Sequence, residues 1–566
     1  MKRLVVLLAV SLAMGWMPLT AAQASETLVK TPDGLEFKLG LSQKNPFFTL
    51  SGLDLTKNVS ACRDKDCNFR SITVPDTTLG KNQLGVWNFS NLIVDLSKGP
   101  VSIQFNVEVE ATLDENVVDV NHVNLERAVV TYKTGLVGDF FFGFDVHLFD
   151  PEGGLVYQDE DPGLWLIGRQ GPIGWNLGFH KRLSRSRGIP LGRGIAAANP
   201  LERQTDVDAN IIEGRVDIDL PVNGMKLTVS PLLLVNFRHT PQAGNLFACP
   251  TGDCMVNPDD DEASGGRATI IYPGAVVSAK VGPLSLTAEG VGMLGKVERL
   301  GEAFRRFYGR PDVNIRSWAA FAEVALDLSK QGIGLTPFVN VDYRRGDRDP
   351  RNRNLGGFVG VSDLTTALRK DGFNKQSISS LGPPPVGAGG EAAWGFNTSA
   401  RGVGPTLGGI LEDTNVPVGD NRFYNNRWGK ADNPGLLKLT AGALGKLNRQ
   451  WDAKAAISFF RFDTTKPIKQ EACDNIDHRT LTGGPFAGGC DEPGTPRAES
   501  LPDISKNMAV EFNANVGWSP VPAIRFQPFI SVFVPLDAVS DINGLLLDSH
   551  NKRSVYMGGI EFRASF

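Results

Sequence analysis

The sequence predicts an all-β chain closed into an antiparallel barrel of about eighteen strands, with sixteen as the alternative count. Three observations predict it. Apolar and polar residues alternate with a period of two in many windows, short turns alternate with long polar connections, and no apolar stretch beyond the N-terminus approaches the roughly 20 residues of a spanning helix.

The period of two is clearest in three windows. In "VSIQFNVEVEA", Val101, Ile103, Phe105, Val107 and Val109 share one face, and Ser102, Gln104, Asn106, Glu108 and Glu110 the other. In "DFFFGFDVHL", Phe140, Phe142, Phe144 and Val146 oppose Asp139, Gly143, Asp145 and His147. In "MAVEFNANVGW", Met508, Val510, Phe512, Ala514, Val516 and Trp518 oppose Glu511, Asn513, Asn515 and Gly517. Successive side chains of a strand point to opposite faces, so each window reads as a strand with one greasy and one polar side.

Short turn sequences join these strands in pairs: 97–100, 133–138, 170–172, 223–224, 281–283, 329–334, 445–450 and 519–522. Gly, Asn and Pro supply the dihedrals such turns require. Between the hairpins the sequence places long polar connections at about 112–122, 148–162, 181–210, 237–272, 295–315, 346–433, 464–506 and 536–552. The first upward strand is supplied either by 33–41 or by Phe47 to Leu55. A two-sheet sandwich does not confine its long connections to one end, whereas a membrane barrel does.

At the N-terminus, Lys2 and Arg3 precede an apolar run from Leu4 to about Met14, then Pro18 and the triplet Ala22, Gln23, Ala24. This pattern predicts a secretory signal over residues 1–24 and one mature barrel domain over 25–566. The formal charge is −4, and −6 without Lys2 and Arg3. That mild acidity argues against a nucleic-acid partner. The six cysteines form three local pairs, Cys62 with Cys67, Cys249 with Cys254 and Cys473 with Cys490. All lie in connections on the long-loop side, and local disulfides are the simplest pairing outside the cytoplasm, with metal ligation the alternative.

At the C-terminus, "VYMGGIEFRASF" puts Tyr556, Ile560, Phe562 and Phe566 on one face, with Glu561 and Arg563 on the other. This strand resembles the C-terminal assembly signal of Gram-negative outer-membrane β-barrels. With the leader and the turn-loop alternation, the resemblance to porins covers nearly the whole mature chain, and "NLERAVVTYKTGLVGDFFFGFD" resembles early hairpins of substrate-selective porins. The resemblance implies a bacterial outer-membrane location, recognition by the barrel-assembly machinery, contact with lipid and lipopolysaccharide, and a homotrimer as an expected assembly.

On this register the inner wall carries Glu108, Glu110, Arg127, His180, Arg215, Asp217, Asn340, Asp342 and Arg344. Eighteen strands leave a lumen too wide for side chains alone to fill, so a polar, water-filled pore is expected. The resulting expectation is passive diffusion of small hydrophilic solutes. The alternatives are an alginate-type polysaccharide exporter and the sheath of a larger envelope complex. The cluster His180, Arg182, Arg185, Arg187 and Arg193 either lines an anion-attracting constriction or binds lipopolysaccharide phosphates at the surface. Asp259, Asp260, Asp261 and Glu262 form either a calcium site between lipopolysaccharides or a solvated acidic tip. The loop 346–433 either plugs or caps the barrel. No Gly-x-Ser-x-Gly, His-Glu-x-x-His or phosphate loop is present, so the chain is read as a non-enzyme without a cofactor.

Overall fold

The structure, a computed structural model, describes residues 26–51, 83–113, 118–150, 152–182, 208–222, 224–239, 267–299, 311–332, 334–349, 352, 354–358, 360, 434–469, 498–538, 540–541 and 554–565. In chain order the strands are β1 (Glu26–Lys30), β2 (Leu35–Ser51), β3 (Gln83–Lys98), β4 (Val101–Leu113), β5 (Val118–Lys133), β6 (Asp139–Leu148), β7 (Gln158–Gln170), β8 (Ile173–Arg182), β9 (Asp208–Val222) and β10 (Met225–His239). They continue with β11 (Arg267–Val281), β12 (Leu284–Glu298), β13 (Val313–Leu326), β14 (Leu335–Arg344), β15 (Asn354–Leu355), β16 (Leu436–Lys446), β17 (Trp451–Arg461), β18 (Asn507–Val521), β19 (Ile524–Pro535) and β20 (Val555–Ser565).

Among the described residues eighteen of these strands, all but β1 and β15, pair antiparallel with their neighbours around a closed wall. Closure is made by β2 against β20, in register from Ser42↔Ser565 to Ser51↔Tyr556. Neither strand is then left with an open edge, which a hydrocarbon environment would not tolerate. The single strand β2 spans both segments offered for the first upward strand, since residues 35–51 are continuous and pair with β3 over the same length.

Eight tight turns gather at one end of the barrel and the longer connections at the other, as the sequence predicts. One connection departs from the expectation almost entirely. Residues 112–122 were expected to form a long loop, but β4 runs to Leu113 and β5 starts at Val118, leaving only 114–117 between them. The alternation Val118, Val120, Val123 carries the pairing into that segment, through an irregularity at Glu110/Ala111 that resets the register.

The outward face is apolar. Phe142, Leu164, Phe179, Ile212, Leu233, Ile271, Leu294, Val324, Val339, Ile457, Ile530, Tyr556 and Ile560 are all well exposed there. At the turn end Trp451, Trp518, Phe526 and Phe562 form a continuous row across β17 to β20, with centroids 5.7, 5.5 and 5.3 Å apart. Nearer the loop end Trp318 packs on Tyr343 at 4.8 Å. An exposed apolar band edged by aromatic rings is what a lipid-facing barrel wall requires. No described helix is long and apolar enough to cross a membrane, which does not bear on crossing by strands.

Candidate functional site: an inner wall with two faces

The inward face splits into two arcs. On β9 to β13, at the loop end, it is apolar: Ile211, Leu232, Leu234, Ile270, Tyr272, Met293, Ile315 and Phe321 are buried in one cluster. The sequence reading expected a polar lining throughout, and this arc corrects it. Here both faces of a strand are greasy, as in Leu232, Leu233 and Leu234, of which only the middle one faces outward.

The inner apolar face is covered by chain from the β6–β7 connection (the described residues of 149–157), whose Phe149, Leu155, Val156 and Tyr157 join the cluster fully buried. A set of hydrogen bonds holds this segment in the barrel. The Asp150 carboxylate accepts from the backbone N–H groups of Val156 and Tyr157 at 2.6 and 2.9 Å. Arg215 on β9 forks onto Glu152 at 2.6 and 2.9 Å, and also donates to Phe149 O and to Asp217. The Gly153 N–H donates to Glu289 on β12 at 2.8 Å, and a Cβ on Gly153 would collide with that carboxylate. Burial pushes the Asp150 carboxyl up to about 6 against its hydrogen bonds and the nearby Arg215.

A second segment completes the cover. Strand β15 pairs parallel with β13 where β14 has already ended, and Leu355 and Phe358 join the cluster. Ser317 donates to Gly356 O at 2.7 Å, and Phe358 packs edge-on to Tyr272 at 6.3 Å. Asp463 fixes the start of this segment by accepting from Gly346 N–H and Arg348. Its burial opposes ionisation, but those donors hold its pKa below the ordinary carboxylate value.

From β14 to β20 the inward face is charged. Arg344 pairs with Asp342 at 3.3 Å, Arg525 grips Asp452 at 2.6 and 2.7 Å, and Arg563 bonds Glu561. Lys438, fully buried, lies in the field of Glu511 and Asp342 and over the ring of Phe460. Asn340 donates to Glu323 at 3.3 Å, and Thr440 bonds Ser458. On β4 and β5 Arg127 bonds Gln104, which donates in turn to Asp95.

The structure therefore brings Arg127, Arg215, Arg344 and His180 to the inner wall, but each arginine there has an acceptor. They do not converge on one constriction: Arg215 clamps a segment, Arg344 belongs to the charged arc, and His180 is buried against Glu213. Glu108 and Glu110 lie on β4, opposite Asn91 and Phe89 of β3, and Arg182 ends β8. Arg185, Arg187, Arg193, the six cysteines, Asp259, Asp260, Asp261, Glu262, residues 1–25, most of 346–433 and Phe566 lie outside the described residues. Tyr556 and Ile560 face outward as read, and Phe562 stands in the aromatic row.

The sequence reading did not anticipate Glu213, Glu152, Asp150 or Glu289. Their joint role depends on which strands become neighbours, and the signal available was only that each sits at an inward parity or in a polar connection.

Comparison with solved structures finds bacterial outer-membrane channels. A BenF-like porin from Pseudomonas fluorescens matches with 10% identity and a TM-score of 0.43, covering 94% of this chain and 99% of that one. OprB from Pseudomonas putida matches with 9% identity and a TM-score of 0.41, covering 94% of each chain. DcaP from Acinetobacter baumannii matches with 11% identity and a TM-score of 0.36, covering 96% of this chain and all of that one. No protein-family model matches the chain, and no curated protein matches it. The functional reading accordingly rests on the wall itself.

Proposed function

We propose that this chain is a bacterial outer-membrane channel, exported by the leader over residues 1–24, that passes small hydrophilic solutes by diffusion. The observation that carries the reading is the opposition of faces around one closed wall. Exposed apolar residues such as Leu233, Ile457 and Ile560 point out, and Asp342, Arg344, Lys438, Glu511 and Glu561 point in. Charged groups on the lipid side of a bilayer barrel are costly, so this polarity of faces makes sense only around a polar lumen. The barrel-assembly machinery, lipopolysaccharide and a homotrimer belong to the same reading.

The described inner wall balances its cations with carboxylates. In this reading an anion bias comes from Arg182 at the end of β8 and from Arg185, Arg187 and Arg193 after it. Planar-bilayer recording of the purified chain tests the reading: stepwise conductance by the chain alone is expected, and a fully inserted but silent barrel would sink it and favour an exporter that needs partners. Reversal potentials with Arg182, Arg185 and Arg187 changed to Ser test the bias. Unchanged selectivity assigns that cluster to the surface.

A further inference from the structure

We propose that His147, His180 and Glu213 form a binding site for one divalent transition-metal ion of the zinc class, built into the inner wall beneath the 149–157 segment. The three side chains come from β6, β8 and β9 and are buried, with 2%, 0% and 4% of their surface exposed. One donor atom from each lies within 4.8 Å of the other two. A tetrahedral ion with bonds of about 2.1 Å holds its donors about 3.4 Å apart, so small side-chain adjustments suffice.

The polar atoms of the cluster satisfy one another only in part. His180 Nε2 and Glu213 Oε1 share a hydrogen bond of 3.2 Å, while Nε2 of His147 crowds the same oxygen without hydrogen-bond geometry. His180 Nδ1 and Glu213 Oε2 are buried with no hydrogen-bond partner. An orphaned buried polar atom is destabilising, because it has given up its water for no partner. A cation among the three groups gives converging lone pairs a common partner, which a hydrogen-bonded His–Glu–His cluster does not.

Space has been made for the group. A Cβ on Gly178 would stand 2.6 Å from Glu213 Oε1 and 2.7 Å from His180 Nε2, and a Cβ on Gly163 would stand 2.6 Å from His180 Nδ1. These two glycines lie opposite Glu213 and His180 in the sheet, so the wall is hollowed where the donors meet. Aromatic rings fix the imidazoles: Trp165 stacks on His180 at 5.5 Å and meets His147 edge-on, and Tyr157 packs on His180 at 5.4 Å. Tyr157 belongs to the covering segment, so an ion here would tie β6, β8 and β9 together across β7 directly under it.

The donor set selects the ion. Two imidazoles and a carboxylate suit zinc, cobalt or nickel. Calcium and magnesium prefer oxygen alone, and copper(I) prefers sulfur.

The test is cobalt titration of the folded barrel in detergent after chelator treatment, read by visible absorption and by metal analysis. One Co2+ per chain with a tetrahedral-type spectrum, bleached by Zn2+, is expected. His147→Gln, His180→Gln and Glu213→Gln should each weaken uptake at least about tenfold, with the heat-modifiable gel shift of the folded barrel retained. His239→Gln and His478→Gln should change nothing. If the folded wild type takes up no Co2+, or if uptake survives all three inner-wall substitutions, the site does not exist. Should those variants fail to fold, the wild-type titration decides alone, and uptake without a tetrahedral-type spectrum overturns the proposal. Conductance is not the readout, so this result stands or falls separately from the channel reading.

Discussion

The two arcs of the inner wall solve the same problem differently. From β14 to β20 inward charges sit near opposite ones on the wall, as Arg525 does with Asp452 and Arg344 with Asp342. From β9 to β13 the wall offers Leu234, Tyr272, Met293 and Phe321, which water would not stabilise, and chain folds in to cover them. The charged arc buries Asp342, Lys438 and Glu511 in one another's field, whereas the apolar arc buries its side chains under an infolded segment. Its polar clamps, Arg215 on Glu152 and Gly153 on Glu289, fix the position of a segment whose burial is driven by apolar surface.

The largest way to break this contrast is Arg215→Ala. It strips the bidentate partner from Glu152 and a donor from Phe149 O, and leaves the remaining groups partly buried. Breaking a buried pair in this way costs about 3–5 kcal/mol. The 149–157 segment should lose hydrogen-exchange protection and open-channel conductance should rise. Unchanged protection would mean that the apolar contacts alone seat the segment.

Next in size is a pair of neighbours that differ only in parity. Leu234→Ala opens a cavity in the inner cluster and should cost about 2–5 kcal/mol in barrel unfolding. Leu233→Arg, one residue away, places a charge on the outward face and should cost about 2–4 kcal/mol in a bilayer, near its midplane. Only the second cost depends on the bilayer, so comparing unfolding of each variant in lipid vesicles and in detergent micelles separates the two faces.

The smallest effect is one of pH. Burial holds the Asp150 carboxyl at about 6 with the segment seated, against an ordinary value near 4 when released. The seated state therefore binds more protons between those values. Seating is strongest at or below about pH 4, weakens as pH rises through 6, and has lost that contribution above it. Channel noise from segment movement should grow between pH 4 and pH 7, and Asp150→Asn should flatten the dependence. A pH profile unchanged by that substitution would remove Asp150 from the account.

Much of the wall could be read from the chain. The parity of Phe140, Phe142 and His147, the turns at 170–172 and 223–224, and the terminal strand carrying Tyr556 and Ile560 all fall where the period of two places them. Local rules suffice there, because alternation and turn chemistry act over a few residues. They failed at 112–122, where strand pairing ran on through residues polar enough to look like a loop. They failed again on the inner face of β9 to β13, where the apolar run from Leu232 to Val235 is the same whether its second face meets lipid or an infolded segment.

The sequence by itself determined the barrel, the order of its strands and which residues share a face, since these follow from a two-residue period and from glycine- and proline-rich turns. Only the tertiary structure decided that residues 149–157 lie inside, that Arg215 holds them, and that His147, His180 and Glu213 meet over Gly163 and Gly178. The hydrogen bonds of His180 with Glu213 and of Arg215 with Glu152 join residues 33 and 63 positions apart. No local pattern encodes them, because they come into being when curvature closes the sheet and sets the facing side chains within reach.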